Sequence, residues 1–151
     1  LYEDHLTNTP TGGSFGIRSI LEDRKGKFWF CNSRYRYSIF PGIKNEDGKV
    51  LVDYKTEKGI EGIKAKDGTN YIYFLSAVED NAGDLWMATY DEGVWRYHGK
   101  QITRYPVTDG GKPITLFSIY KDRKGQLWLG THKSGAYAFN GKGFEKFQPG
   151  R

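Results

Sequence analysis

The chain has 151 residues and a formal net charge of +5, from 23 basic and 18 acidic residues. Its lysines are scattered among glycine turns rather than gathered in a helical stripe, which argues against a nucleic-acid partner and leaves either a solvated basic surface or an anion-binding face. Four Trp, eleven Tyr and nine Phe beside twenty Gly favour short strands and tight turns over helices. Cys31 is the single cysteine, so the sequence holds neither an internal disulfide nor a cysteine-cluster metal site. No apolar run approaches the length of a spanning helix, no signal peptide pattern is present, and no membrane contact is expected from this segment.

In chain order, Leu1 and Tyr2 read as the end of an outer strand, so residues 1–5 are expected to close a preceding unit, and the start without Met suggests a trimmed segment. The first full unit, about 14–54, carries Asp23-Arg-Lys-Gly-Lys-Phe-Trp29, then Tyr37-Ser38-Ile39-Phe40, a Gly-Lys turn at Gly48 and a closing Tyr54. The second, about 71–105, carries Asp80-Asn-Ala-Gly-Asp-Leu-Trp86, Val94-Trp95-Arg96-Tyr97, a turn at Gly99 and a closing Tyr105. The third, about 114–148, carries Asp122-Arg-Lys-Gly-Gln-Leu-Trp128, Ala136-Tyr137-Ala138-Phe139, a turn at Gly141 and a closing Phe147. Trp86 and Trp128 stand 42 residues apart, whereas Trp29 and Trp86 stand 57 apart. The surplus is expected in loops: part in the segment Pro41 to Asp47, part in the crossover that follows Tyr54. The third unit reads as four strands, Leu116–Tyr120, Leu127–Thr131, Ala136–Asn140 and Phe144–Gln148, joined by short hairpin links. A four-stranded meander repeated every 42 or so residues predicts an all-β chain of β-propeller blades rather than a solenoid.

The run from Asp122 to Thr131, followed by a Gly, a Tyr-rich strand, a Gly turn and a closing F-x-x-F, resembles the two-component regulator propeller repeat. That family's pattern is I-x-x-D-x-x-G-x-L-W-x-G-T. The second unit departs from it with Met87 and Ala88, and the first with Phe30, Cys31 and Asn32 and with Arg36 where the others have Gly93 and Gly135. The resemblance implies an extracytoplasmic, periplasmic or extracellular sensor that binds a small molecule or oligosaccharide, without catalysis or cofactor, upstream of a membrane helix and a histidine kinase. The alternatives are a protein-interaction scaffold and an enzyme similar to the streptogramin lyases, for which His132 would be the base.

The repeated positions Asp23, Gly26, Trp29, Asp80, Gly83, Trp86, Asp122, Gly125 and Trp128 read as structural: the Asp holds the turn, the Gly takes a positive φ, and the Trp wedges between blades. Thr89 and Thr131 read as a repeated hydrogen bond, and His98 as a turn residue. Positions that break the repeat in the loops after the second strand are the ligand-binding candidates: Arg34, Tyr35, Arg36, Tyr90, Asp91, His132 and Lys133. Guanidinium forks beside a phenol suit an anionic or polyhydroxylated ligand. His5, His98 and His132 have no metal-ligand spacing, and no nucleophile elbow is present. Three blades are too few to close a ring, so the chain is expected to be a partial propeller completed by further blades, or half of a six-bladed dimeric ring.

Overall fold

The computed structural model describes residues 17–31, 35–44, 46–60 and 74–150. Among them the chain is all-β: three four-stranded antiparallel sheets and one two-stranded ribbon. The first blade holds β1 (Ile20–Glu22), β2 (Phe28–Phe30), β3 (Tyr35–Lys44) and β4 (Val50–Lys58). The second holds β5 (Phe74–Glu79), β6 (Leu85–Thr89), β7 (Val94–His98) and β8 (Gln101–Tyr105). The ribbon of β9 (Thr108–Asp109) and β10 (Lys112–Pro113) lies in the crossover. The third blade holds β11 (Leu116–Lys121), β12 (Leu127–Thr131), β13 (Ala136–Phe139) and β14 (Phe144–Lys146). Strand order follows chain order in every sheet, so each blade is a meander.

One turn, built three times, joins the first two strands of each blade. Asp23 Oδ1 accepts the backbone N–H groups of Lys25 and Lys27, both at 2.9 Å, while its Oδ2 accepts the indole N–H of Trp29 at 2.9 Å. Asp80 does the same for Ala82, Asp84 and Trp86, and Asp122 for Lys124, Gln126 and Trp128. The repeated Asp therefore spans the turn and fixes the ring of the Trp six residues on. At Gly26, Gly83 and Gly125 the chain turns with φ of +72°, +91° and +85°, a conformation that a Cβ disfavours.

The first blade departs from the expected register. Trp29 pairs with Arg36, as Trp86 pairs with Arg96 and Trp128 with Ala138. Tyr37 therefore stands level with Tyr97 and Phe139, not with Val94, and Arg36 does not occupy the position of Gly93 and Gly135. The β2–β3 hairpin closes sooner than its counterparts and shifts everything after it. The surplus at Pro41–Lys44 is not a loop: it lengthens β3, with a register shift between Phe40 and Ile43. Proline has no N–H to give a ladder, and a bulge is where a strand tolerates it. Likewise Lys55–Lys58 belong to β4 rather than to the crossover, and Tyr54 pairs with Ile39 well inside the hairpin instead of closing the blade.

The blades stack face to face. Trp86 is 1% exposed, with its ring 4.9 Å from Phe139 and 6.1 Å from Phe144 of the next blade and 5.2 Å from Tyr105 of its own. These rings join Val94, Val107, Leu116, Leu127, Leu129 and Tyr137 in one core. A second core groups Trp29, Ile60, Phe74, Leu85 and Met87, with Tyr97 edge-on to Trp29 at 6.5 Å. The inner strands also meet: Ser76 Oγ accepts the N–H of Ile119 at 3.2 Å. Trp128 differs. It is only half-buried, and its ring partner is Phe147 of its own blade.

Candidate functional site

Two hairpin loops present four of the sequence candidates. The β6–β7 loop carries Tyr90 and Asp91, and the β12–β13 loop carries His132 and Lys133. Both loops are cinched by a threonine. Thr89 Oγ1 donates to the carbonyl of Gly93 at 2.6 Å and accepts the N–H of Glu92 at 2.9 Å. Thr131 Oγ1 repeats this with Gly135 and Ser134 at 2.6 and 2.9 Å. The tight closure frees the intervening side chains from backbone duties.

The two loops are tied to one crossover. Leu116 N–H donates to the carbonyl of Tyr90 at 2.9 Å, and His132 N–H donates to the carbonyl of Thr115 at 3.0 Å. They therefore flank the 106–115 connection on one end of the stacked blades. Tyr90 is 53% exposed. The His132 imidazole lies 5.2 Å from the ring of Phe117, itself exposed on β11. An exposed phenol, an imidazole on a phenyl ring and the lysine Lys133 make a surface able to stack on a flat or sugar-like ligand and to accept negative charge. Arg34 lies outside the described residues. Tyr35 and Arg36 open β3 opposite Lys58 and Glu57, and their side chains are likewise outside the description.

A polar cluster in the second blade lies outside the sequence candidates. Asp84 is 3% exposed and stands just before β6, where the other blades have Lys27 and Gln126. Its Oδ2 accepts Arg96 Nε at 2.8 Å and Nη2 at 2.5 Å, and its Oδ1 pairs with His98 Nδ1. His98 is therefore a hydrogen-bond partner of Asp84, not a counterpart of the turn-capping Asn140, whose Oδ1 accepts the N–H groups of Lys142 and Gly143. Burial acts to raise the Asp84 pKa, but the hydrogen bonds from His98 and Arg96 outweigh it and hold the carboxyl below the usual aspartate value. The Asp84 hydrogen bond, ahead of one from Tyr105, raises the Arg96 pKa in turn. Asp84 thus stays ionised and holds Arg96 and His98 in place rather than donating protons. The Arg96 guanidinium also lies 5.1 Å over the Trp86 ring, above a cleft of about 270 Å³ between the second and third blades. Among the described residues, no group of three or more His, Cys, Asp or Glu side chains is arranged to hold a metal ion.

Residues 110–133, from the crossover ribbon through β12, match the two component regulator propeller family. That stretch carries the two component regulator propeller repeat. No curated protein matches the chain by sequence. Among solved structures, the chain is similar to the extracellular domain of BT4673 from B. thetaiotaomicron, described in one structure as a one component system and in another as a hybrid two component system. The TM-scores are 0.52 and 0.51, both at 21% identity over 82% of this chain. This likeness establishes the fold, a partial propeller. The chain spans 15% of the length of those neighbours.

Proposed function

We propose that this two component regulator propeller segment is part of an extracytoplasmic sensor that binds a ligand without transforming it. The observation that carries the reading is the pair of threonine-cinched loops held on one crossover, within and beside the stretch that matches the family. The loops spend no side chain of Tyr90, Asp91, His132 or Lys133 on closing themselves, so these groups are available to a ligand. The neighbouring BT4673 domain is extracellular and is described as part of a one or hybrid two component system, which supports the same placement here. The exposed aromatics with Lys133, and the net charge of +5, favour an anionic oligosaccharide.

The test is a thermal-shift series with heparin oligosaccharides, dextran and a neutral disaccharide, each with and without EDTA. A saturable rise in Tm with the anionic sugars, unaffected by EDTA and lost in Tyr90→Ala/His132→Ala, supports the reading. Chain shortening of the added sugar would refute the non-catalytic role. A rise unchanged in the double variant would move the site elsewhere.

A further inference from the structure

The turns that join the first two strands of each blade lie at the end of the stack opposite the threonine-cinched loops, because consecutive strands of a meander run antiparallel. Between the first and second blades this end opens into a cleft of about 590 Å³, against about 270 Å³ for its counterpart between the second and third. Small-molecule sites occupy about 300–1,000 Å³. One edge of the larger cleft is latched. Arg24 donates its backbone N–H and its Nε to the Glu79 carboxylate at 3.0 and 2.5 Å, and its Nη2 to the carbonyls of Asp80 and Asn81, both at 2.9 Å. The guanidinium carbon lies 3.3 Å from where a Cβ would stand on Gly83, so that glycine leaves the room for it. The latch ties two turns together and gives the cleft a preformed wall.

The larger cleft also differs in chemistry. Trp29, Leu85 and Tyr97 line it, and where Tyr97 brings a hydroxyl the smaller cleft has Phe139. Exposed Lys25 stands where the smaller cleft has Ala82, and Lys100 joins it from the β7–β8 turn. The acidic groups are already spent. Asp23 accepts the N–H groups of its own turn and the Trp29 indole, and both Glu79 oxygens hold Arg24. In the smaller cleft the cation is spent too, since Arg96 is paired with Asp84. Among the described residues, neither the Lys25 nor the Lys100 ammonium is paired, and no hydrogen bond takes up the Tyr97 hydroxyl. Uncommitted donors beside an apolar lining recognise an acceptor carried on an apolar body. A neutral sugar would bring hydroxyl donors to a cleft whose carboxylates are occupied.

We propose that this cleft is a second binding site, for a small carboxylate built on a flat apolar ring. The ring packs against Tyr97 and Leu85, and the carboxylate meets the Lys25 and Lys100 ammoniums and the Tyr97 hydroxyl. The site does not rest on the loops at the opposite end.

Titration of the isotope-labelled chain with 2-naphthoate, read at its four indole N–H signals by NMR and assigned by Trp→Phe substitution, tests this. The Trp29 signal, whose N–H sits on Asp23 in the cleft, shifts saturably, while that of Trp86 in the smaller cleft stays in place. The uncharged 2-naphthalenemethanol binds about tenfold more weakly, the worth of one charge-assisted hydrogen bond. Lys25→Ala/Tyr97→Phe installs the residues that the smaller cleft already carries, so the indole signals stay dispersed while 2-naphthoate weakens at least about tenfold. Lys25→Ala alone, at an exposed turn position, moves affinity in the same direction. No saturable shift at Trp29, equal shifts at Trp29 and Trp86, equal affinity for the charged and uncharged rings, or wild-type affinity in the Lys25→Ala variants would each overturn the proposal.

Discussion

Trp86→Ala removes the ring at the centre of the junction between the second and third blades. The side chain is 1% exposed and touches Tyr105, Phe139 and Phe144, so the space it leaves cannot be refilled without moving two blades. Truncating a fully buried Trp costs about 3–5 kcal/mol, and losing the Arg96 contact over its face adds about 0.5–1 kcal/mol. Trp128→Ala at the same register is the internal control. Its ring is half-buried and, among the described residues, lies edge-on to Phe147 of its own blade, so its loss costs about 1–2 kcal/mol. Trp86→Phe keeps most of the packing but surrenders the 2.8 Å bond to Asp80, for about 1 kcal/mol. Urea melts followed by circular dichroism give all three values. Equal losses for the two alanine variants, or a Trp86→Ala loss under about 1 kcal/mol, would refute the assignment of Trp86 to a blade–blade junction.

Gly93→Ala should be far more damaging than Gly135→Ala, although the two have similar φ of +80° and +77°. A Cβ on Gly93 would sit 2.4 Å from the Tyr105 carbonyl, whereas one on Gly135 meets nothing within 4 Å; the second therefore costs only the positive-φ penalty of about 1–2 kcal/mol, and equal melting midpoints would refute the distinction. The folded pKa of Asp84 lies below its unfolded value, so its contribution is fully present above the unfolded value near about 4 and is lost as pH falls through the folded one. Asp84→Asn is accordingly less stable than wild type at neutral pH, and the gap narrows in acid; a gap constant with pH would show that the charge of Asp84 carries no weight. On heparin resin, Arg34→Ser/Arg36→Ser should elute earlier than Lys142→Ser/Lys146→Ser; matched elution would mean that net charge alone sets retention.

The fold was legible in the sequence because the repeat writes the same physics three times. A turn that needs Asp for its N–H groups, Gly for its φ and Trp for the next junction cannot drift by a residue without losing one of them. The strands of the third blade followed from that frame, and Leu127–Thr131 begins and ends where the pattern sets it. The first blade was legible only as far as Trp29. After it, counting forward by a fixed offset assumed a hairpin as long as the other two, and a shorter one moved Tyr37, Arg36 and Tyr54 out of phase. Loop length is not encoded in strand periodicity, and an insertion such as Pro41–Lys44 joins a strand as readily as it leaves one when its neighbours can pair.

The Asp84 cluster was missed for a different reason. It occupies a variable slot of a motif whose fixed residues drew the reading, and a variable slot looks like surface. Yet in every blade the slot makes a hydrogen bond to the third strand. Lys27 fills it with bonds to Ser38 at 2.6 Å and Glu57 at 2.9 Å, and Gln126 with bonds to the carbonyls of Phe139 at 2.7 Å and Leu127 at 3.1 Å. Asp84 reverses the charge, and its partners Arg96 and His98 follow suit, where the third blade has Ala138 and Asn140. Strand pairing sets Lys27 with Ser38 and Asp84 with His98 at matching positions, so covariation between those two columns of the repeat was the available signal. A buried carboxylate must bring its own partners, because leaving it unpaired costs several kcal/mol, about 3–5 for a broken buried pair. The change at one slot therefore demanded the other two, and the second blade differs from its neighbours as a set.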